Sequence, residues 1–337
     1  MKPTFPVETL ETIQNLLSKP KQIVLLGHTS PDGDALGSTL AFSALLRQLG
    51  HDTQVLYPTA YPASFGIMTG IRESIISRDT PDRATQAISS ADLVICMDFN
   101  DSKRLGDLEP AILDSTAPKI LIDHHLHPTG FADLTISYPE ISSTCLLLYH
   151  LIEALGLKGS LTKEAAECIY IGMMTDTGNF SYNSEDPQIY TTISALLELG
   201  IHKDEISDRI TRSYSVDKIR LNAHLLDNNL TILPEYKTAI ITMSMAEKNR
   251  FGYQVGDTEG LVNEPLAAKE IEFSIFLHEM SKYTKISLRS KGDFPVNEFA
   301  QKFFNGGGHK NASGAEYYDT LSGTLRTIKE AVKLMHP

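Results

Sequence analysis

The sequence lacks long hydrophobic runs and paired cysteines. It contains no stretch of about 18 consecutive apolar residues, so no transmembrane helix is expected. Its first residues lack the apolar segment of a secretory signal peptide. The three cysteines, Cys96, Cys145 and Cys168, lie in apolar stretches without paired spacing, which is typical of buried thiols in a reducing compartment. These absences predict a cytoplasmic protein without a membrane partner.

Basic residues are also in deficit. The 337 residues include 42 acidic and 30 basic side chains, which gives a formal net charge of −12. Proteins that hold long duplex DNA do so through Lys and Arg side chains that release counterions. The acidic balance therefore argues against long duplex DNA as a partner. The net charge does not exclude small phosphorylated substrates, because bound metal ions can supply positive charge locally.

The order of apolar and amphipathic segments predicts an α/β protein with two lobes. Strand and helix patterns alternate over residues 1–185, which is typical of a doubly wound parallel sheet. Residues 186–234 show only helical patterns, including a helix predicted at 216–230, and indicate a helical linker. Residues 235–337 mix both patterns and predict a smaller mixed α/β domain.

Four segments each place acids or histidines at the end of a predicted strand or helix. They are His28, Asp32 and Asp34 after a strand predicted at 22–26, Asp98 after residues 93–97, Asp123, His124 and His125 after residues 120–122, and Asp176 after an apolar helix. The carboxyl ends of parallel strands meet in one crevice of an open sheet. Carboxylates gathered there repel one another unless metal ions bind them. The set predicts a two-metal site, and such sites mostly attack phosphate esters.

A second group of residues is suited to anions. An arginine offers a planar fork to phosphate, a histidine can donate to phosphate or sugar, and glycines let backbone N–H groups approach an anion closely. The predicted substrate contacts are Arg104, Arg289, Gly306, Gly307, Gly308 and His309.

Taken singly, each of these segments has an ordinary structural explanation. An Asp-Gly-Asp loop such as 32–34 is usually a polar turn or a helix cap. A single acid after a strand, as at Asp98, is usually an exposed loop residue. A glycine run with a nearby histidine can be a plain turn. The hypothesis of a site rests on the coincidence of all the segments in one chain.

The motifs resemble the DHH phosphoesterase superfamily in order and over nearly the whole chain. They are HTSPDGDALGS at 28–38, CMDFND at 96–101, DHH at 123–125, TDTGNF at 175–180 and SLRSKGDFPVNEFAQKFFNGGGHKNASGA at 287–315. The last segment resembles the DHH-associated C-terminal domain. The size of the chain resembles the stand-alone nanoRNase and pAp-phosphatase type, which is related to RecJ.

The resemblance implies a role for each residue and two divalent metal ions, with Mn²⁺ expected. His28, Asp32 and Asp98 would hold one ion, and Asp34, Asp98, His124 and Asp176 would hold the other, with Asp98 bridging. His125 would face the scissile phosphate, and Asp123 would orient the neighbouring imidazoles. The implied domains are a DHH catalytic domain at 1–185, a linker at 186–234 and a substrate-binding domain at 235–337.

The implied activity is a metal-dependent phosphodiesterase of the exoribonuclease type. It would hydrolyse short oligonucleotides and linear dinucleotides to mononucleotides, and removal of the 3′-phosphate from 3′-phosphoadenosine 5′-phosphate (pAp) is a further expected activity. Two alternatives stay open, a cyclic-dinucleotide phosphodiesterase and a non-catalytic nucleotide sensor. The expected partners are short RNA or DNA and small nucleotides. The physiological substrate, the cleavage polarity, the native metal and the choice between monomer and homodimer are also open.

Overall fold

Six strands from the first part of the chain form one parallel sheet. The computed structural model describes residues 2–211 and 215–335 and divides the chain into two units, Met1–Ser213 and Tyr214–Pro337. The strands of the first unit are Gln22–Leu26 (β1), Asp52–Tyr57 (β2), Ile75–Ile76 (β3), Leu93–Met97 (β4), Lys119–Asp123 (β5) and Leu134–Ser137 (β6). They pair in the order β3-β2-β1-β4-β5-β6, all in parallel. The predicted doubly wound parallel sheet is confirmed.

Helices cover both faces of this sheet. They are Val7–Leu16 (α1), Gly33–Gln48 (α2), Pro81–Ser89 (α3), Glu109–Asp114 (α4), Thr144–Ala154 (α5), Lys163–Asp176 (α6), Pro187–Glu198 (α7) and Lys203–Thr211 (α8). Alternate strand residues point to opposite faces. Leu25 and Ile95 therefore belong to one core with α2, α5 and α6, whereas Val24 and Val94 belong to a second core with α3 and α4.

The strand order reverses between β1 and β4. β1 pairs with β2 on one side and with β4 on the other. Connections leave the sheet in opposite directions at such a point, so a crevice opens at the carboxyl ends of the two strands. The segments that follow β1 and β4 begin at Gly27 and Asp98, and β5 ends beside them at Asp123. The topology therefore directs three of the four predicted motifs to one crevice.

Glycines set the spacing of the helices behind this crevice. A Cβ on Gly37 would lie 2.5 Å from the carbonyl oxygen of Cys168. A Cβ on Gly172 would overlap Cys145 Sγ and lie 2.9 Å from Asp34 Oδ1. A side chain at Gly37 would push α2 away from α6, and a side chain at Gly172 would push α6 away from α5 and α2. Close packing of these helices is what brings Asp34 near the end of α6.

The second unit is a smaller mixed α/β structure, as predicted. Its elements are Val216–Asn228 (α9), Leu230–Leu233 (β7), Thr238–Met243 (β8), Met245–Phe251 (α10), Phe273–Glu279 (β9), Thr284–Ser290 (β10), Val296–Phe304 (α11), Gly307–His309 (β11), Ala312–Tyr317 (β12) and Leu321–Met335 (α12). The strand order is β11-β12-β10-β9-β8-β7. β8 and β9 are parallel, and the other neighbours are antiparallel.

The boundary between the two units falls inside the predicted linker at 186–234. Helices α7 and α8 contribute to the core of the first unit, and α9 contributes to a core of the second. Residues 212–214 of the linker lie outside the described residues, and the three-part division stays a prediction. The helix predicted at 216–230 is wrong at its end, because Leu230 begins β7. No helix among the described residues is long and apolar enough to cross a bilayer.

Candidate metal centre

The loop after β1 ends in the N-cap of α2, and this cap positions Asp32. Its Oδ1 accepts hydrogen bonds from the backbone N–H groups of Asp34 and Ala35, both at 3.1 Å. Those N–H groups have no partner within the helix, which is why Asp is favoured at this position. The other oxygen, Oδ2, lies 3.8 Å from His28 Nε2. Asp32 is therefore a helix cap whose second oxygen faces the buried imidazole of His28.

Asp34 is buried in the first turn of α2 and contacts the start of α5. Its Oδ2 accepts from the N–H of Thr144 at 2.6 Å, and its Oδ1 accepts from the N–H of Cys145 at 2.9 Å. The N-terminus of a helix favours a negative charge, because its N–H groups and its dipole both point at the anion. The contact joins α2 to α5 and holds the Asp34 carboxylate in one orientation.

Asp98 lies between two sets of polar side chains. It follows β4 with φ of 67°, a left-handed conformation that Asp and Asn adopt more readily than most residues. Its Oδ2 lies 3.8 Å from His28 Nε2, and its Oδ1 lies 3.6 Å from His124 Nε2. Oδ1 also accepts a hydrogen bond from Thr144 Oγ1 at 2.8 Å. Each oxygen of Asp98 therefore faces a different histidine.

The imidazole of His124 faces three carboxylates. Its Nδ1 lies 3.0 Å from the carbonyl oxygen of Ile141, to which it can donate. Its Nε2 lies 3.8 Å from Asp34 Oδ2, 3.6 Å from Asp98 Oδ1 and 3.5 Å from Asp176 Oδ2. When Nδ1 carries the proton, the lone pair on Nε2 and the carboxylate oxygens converge on one point. That arrangement is stable only when a cation or a proton binds there.

Asp123 and His125 form a carboxylate–imidazole pair at the end of β5. Asp123 is fully buried, and its Oδ1 lies 2.7 Å from His125 Nδ1. Its Oδ2 is buried without a hydrogen-bond partner. Burial lowers the pKa of His125, and the Asp123 carboxylate offsets this only in part. Because Nδ1 of His125 is hydrogen-bonded to Asp123, a contact between His125 and a substrate would be made through Nε2.

The electrostatics of the cluster fit divalent cations. The pKa of Asp98 is raised well above its usual value by burial and then by repulsion from the other carboxylates, led by Asp34 and Asp32. Burial lowers the pKa of His124, but the charges of Asp176 and Asp34 outweigh it and raise that pKa. The cluster therefore attracts positive charge, and protons would supply it in the absence of metal. Carboxylate and imidazole donors together are typical of Mn, Fe or Zn sites.

Three sets of possible ligands occur among these residues. Within each set the donor atoms lie within 4.8 Å of one another. The sets are His28, Asp32 and Asp98; Asp34, His124 and Asp176; and Asp98, Asp123 and His125. Asp98 belongs to the first and third sets, and its Oδ1 also lies 3.6 Å from His124 Nε2 of the second set, which fits a residue shared between two ions. The structure thus brings together all eight residues of the first unit that the sequence predicts as ligands or catalytic groups.

Arg104 also lies beside this centre. It is exposed, and its Nη2 lies 3.0 Å from His28 Nδ1. Its carbonyl oxygen accepts hydrogen bonds from the N–H of Thr29, at 2.8 Å, and from Thr29 Oγ1. The backbone contacts hold this arginine next to the first imidazole, where a guanidinium can meet an anion.

In the second unit, Arg289 and His309 lie on one face of the sheet. Arg289 of β10 pairs with Ala312 of β12, and Ala312 pairs with His309 of β11. Side chains of directly paired residues project to the same face. The small side chain of Ala312 therefore separates the guanidinium from the imidazole, two groups that both suit phosphate.

Two of the predicted glycine contacts have a packing explanation. A Cβ on Gly306 would lie 2.7 Å from the Cβ of Ala315. Gly308 has φ of 138°, and a Cβ there would lie 2.6 Å from the carbonyl oxygen of Ala312. Gly307 has no such neighbour within 4 Å. Gly307 and Gly308 belong to strand β11 rather than to an isolated turn, and the approach of the glycine run to an anion stays a prediction.

Two family models match the two units. The model of the DHH family, N-terminal domain, matches residues 22–173, and the model of the DHHA1 domain matches residues 237–335. The chain belongs to the DHH family. The DHH match contains the motifs from His28 to His125 and ends three residues before Asp176. The DHHA1 match contains Arg289 and His309.

Solved and curated relatives extend over most of this DHH protein. The crystal structure of an exopolyphosphatase-related protein from Bacteroides fragilis is 40% identical, covers 100% of this chain and 99% of its own, and has a TM-score of 0.94. The bifunctional oligoribonuclease and PAP phosphatase NrnA of Bacillus subtilis is 27% identical, over 91% of this chain and 94% of NrnA. NrnA of Thermus thermophilus is 27% identical, over 87% and 83%.

Thr144 is a residue of the DHH centre that the sequence reasoning missed. The run at 142–144 predicts only a helix cap, and Ser143 is indeed the cap of α5. Thr144 does more, because its N–H donates to Asp34 and its Oγ1 donates to Asp98. One residue therefore fixes two of the predicted ligands. The signal in the sequence is a hydroxyl residue directly after the cap, which is too common to be diagnostic.

Thr144→Val should weaken metal binding without unfolding the protein. The substitution keeps the branched shape and the backbone N–H but removes the hydroxyl that orients Asp98. Loss of such an outer partner commonly lowers metal affinity about 10- to 100-fold. Calorimetric titration of the metal-free protein with Mn²⁺ measures the change. Thr144→Ser restores the hydroxyl and should recover most of the affinity; equal affinities for all three proteins would remove Thr144 from this role.

Proposed function

We propose that this DHH protein is a two-metal phosphodiesterase that hydrolyses short oligonucleotides to mononucleotides and also acts on pAp. The observation that carries the proposal is the convergence of carboxylates on two buried imidazoles, with Asp98 facing both. The relatives named bifunctional oligoribonuclease and PAP phosphatase support the choice of substrate. Imidazole donors suit Mn, Fe or Zn, and the excess of carboxylates in this set favours Mn²⁺ among them.

The proposed roles follow the first two ligand sets, with Asp98 added to the second because its Oδ1 lies 3.6 Å from His124 Nε2. One ion would be held by His28, Asp32 and Asp98, and the other by Asp34, Asp98, His124 and Asp176. Bound ions of this kind supply Lewis acidity and a reactive water. His125 would contact the scissile phosphate through Nε2, and Asp123 would keep its ring in that orientation. Arg104, held beside His28, would add a charge-assisted contact to the same phosphate.

The second unit would bind the remainder of the substrate. Arg289 and His309 share one face of its sheet and offer a guanidinium and an imidazole to a phosphate or a sugar. The chain has a net charge of −12 and no basic tract that would follow a long backbone. Short substrates would therefore be preferred, because a long strand adds repulsion without adding contacts.

The length of the substrate tests this proposal. The Mn²⁺-loaded protein is incubated with pAp, linear and cyclic dinucleotides, and an RNA ladder that extends to about 24 nucleotides. We expect kcat/KM to be highest for linear dinucleotides and to fall as the chain grows. Arg289→Ala and His309→Ala should weaken dinucleotide turnover but spare bis-p-nitrophenyl phosphate, a small ester without a nucleotide for the second unit to hold.

Arg326→Ala is the matched control for these variants. Arg326 is exposed on α12, the helix that packs on the opposite face of the same sheet. The Arg326→Ala variant should turn over both the dinucleotide and bis-p-nitrophenyl phosphate as the wild type does. Cleavage of the longest RNA as efficiently as a dinucleotide would contradict the preference for short substrates. Tight nucleotide binding without turnover would instead support the non-catalytic sensor, and a preference for cyclic dinucleotides would support the other alternative.

A further inference from the structure

A short exposed turn, residues 126–129, directly follows His125, the imidazole proposed to contact the scissile phosphate. All four residues of this turn are exposed, and Leu126, the residue next to His125, is 39% exposed. No side chain of the turn is buried in a core that would fix its position. The position of the backbone after His125 must therefore come from hydrogen bonds.

One residue, Asn100, makes the hydrogen bonds that hold this turn. Its side-chain Nδ2 donates to the carbonyl oxygen of Leu126 at 2.6 Å. Its own carbonyl oxygen accepts from the N–H of Thr129 at 2.7 Å and from Thr129 Oγ1 at 3.2 Å. In the part of the chain that the structure describes, every hydrogen bond from the turn to a distant segment goes to Asn100. Asn100 therefore holds the turn at its first and at its last residue.

An aromatic pair fixes the chain beyond the turn. The rings of Phe99 and Phe131 are stacked, with their centroids 6.0 Å apart and an angle of 9° between their planes. Phe99 is buried in a core of the first unit, and Phe131 packs against that core. Phe131, however, is six residues from His125. The contact of Asn100 is made one residue from His125, so it bears on the imidazole more directly.

The imidazole of His125 is constrained from two directions. Its Nδ1 lies 2.7 Å from Asp123 Oδ1, which limits the rotation of the ring. Its backbone continues into Leu126, whose carbonyl group is bonded to Asn100. Asn100 is two residues from Asp98, whose Oδ1 lies 3.9 Å from His125 Nδ1. One short segment thus carries a candidate metal ligand and the contact that holds the imidazole beside it.

We propose that Asn100 is a positioning residue for the hydrolysis, because its bond to Leu126 keeps Nε2 of His125 directed at the scissile phosphate. The inference rests on the proposed function, since it assumes that His125 contacts the phosphate. Asn100 acts through His125 and contacts neither metal nor substrate. The neighbouring His124 is held by a different group, the carbonyl oxygen of Ile141. Loss of the Asn100 contact should therefore leave the metal ligands in place.

Asn100→Leu tests this role, because leucine has nearly the shape of asparagine but cannot donate to Leu126. A misplacement of about 1 Å can lower a rate about a hundredfold, so kcat should fall about ten- to a hundredfold. KM should change little, because the alignment of His125 stabilises the transition state and not the bound substrate. The fall should be equal for a dinucleotide and for bis-p-nitrophenyl phosphate, since both present a scissile phosphate. Metal content after dialysis should equal that of the wild type.

A double-mutant cycle with His125→Asn separates positioning from a general structural effect. If Asn100 acts through Nε2 of His125, Asn100→Leu should lower kcat no further in the His125→Asn background, where that atom is absent. Hydrogen exchange of the Mn²⁺-loaded proteins, measured by mass spectrometry, adds a readout besides activity. Exchange in the peptide that contains Thr129 should be faster in Asn100→Leu. Asn100→Ser, whose hydroxyl is too short to reach Leu126, replaces the leucine variant if that protein does not fold.

Asn15→Leu serves as the control, because Asn15 is exposed on α1 of the same unit. It should leave kcat and the exchange of the turn unchanged. The proposal is overturned if Asn100→Leu keeps the wild-type kcat or the wild-type exchange of the turn. An equal fall in kcat in the His125→Asn background also overturns it, as does loss of metal, since Asn100 would then act through Asp98. If the wild type cleaves the bis-ester but no oligonucleotide, the proposed function fails, and the bis-ester kinetics with the exchange data still decide the role of Asn100.

Discussion

Replacement of Asp98 by asparagine is expected to reduce turnover at least about a hundredfold at saturating Mn²⁺, because the variant loses a charge that faces both imidazoles of the centre. Asparagine has the same size and tolerates the left-handed backbone at this position. Its amide oxygen can still accept the hydrogen bond from Thr144. Steady-state kinetics with a dinucleotide and elemental analysis of bound metal measure the two expected losses.

The same variant should behave differently without metal. In the metal-free protein, Asp98 is a buried group that burial and neighbouring carboxylates, led by Asp34, disfavour as an anion. Neutral asparagine removes that repulsion. The melting temperature of the metal-free Asp98→Asn protein should therefore equal or exceed that of the metal-free wild type. Added Mn²⁺ should raise the melting temperature of the wild type much more than that of Asp98→Asn, because a ligand stabilises the state that binds it.

Asp101→Asn is the control for both measurements. Asp101 lies in the same loop, and its side chain caps the following turn by accepting from the N–H of Lys103 at 3.0 Å. Asparagine caps such turns nearly as well as aspartate. This variant should therefore retain activity, metal and stability. Near wild-type turnover by folded Asp98→Asn would exclude Asp98 from the centre.

The interior of the fold was accessible to sequence reasoning because its strands are continuous apolar runs. Strands β1 and β4 have the predicted bounds, since four or five successive buried residues admit few alternatives. The outer strands β3 and β6 were not predicted. They have two and four residues, and their pairing depends on neighbours that are distant in sequence. Strand β11 was missed for another reason, because glycine has a low β-propensity and its pairing with β12 overrides that preference.

The candidate ligands were predictable because each lies at the end of an element, where topology alone brings them together. The contacts that hold these ligands in place were not predictable. Thr144 and Asp98 are 46 residues apart, and their contact depends on where the N-terminus of α5 lies against α2. The close packing at Gly172 sets that position, and no local pattern encodes it.

Replacing either histidine of the DHH motif by asparagine should impair the protein, but the two variants should lose different properties, metal affinity in one and rate in the other. The Nδ of asparagine can imitate the Nδ1 of histidine, so His124→Asn can still donate to Ile141 and His125→Asn can still donate to Asp123. Both variants lack Nε2. In His124 that atom faces three carboxylates, so its loss should lower the affinity for one ion at least about a hundredfold. His125→Asn should keep both ions and lose only rate.

Metal content after dialysis, measured together with kcat, separates these outcomes. We expect His124→Asn to retain about half of the wild-type metal and almost no activity, whereas His125→Asn retains the full content with a rate lowered about a hundredfold or more. His127→Asn is the control, because His127 is exposed in the same loop and its φ of 58° suits asparagine. Equal metal loss in the first two variants would show that both imidazoles are ligands. Full metal content in both would mean that the carboxylates alone hold the ions, and that the imidazole of His124 serves the substrate instead.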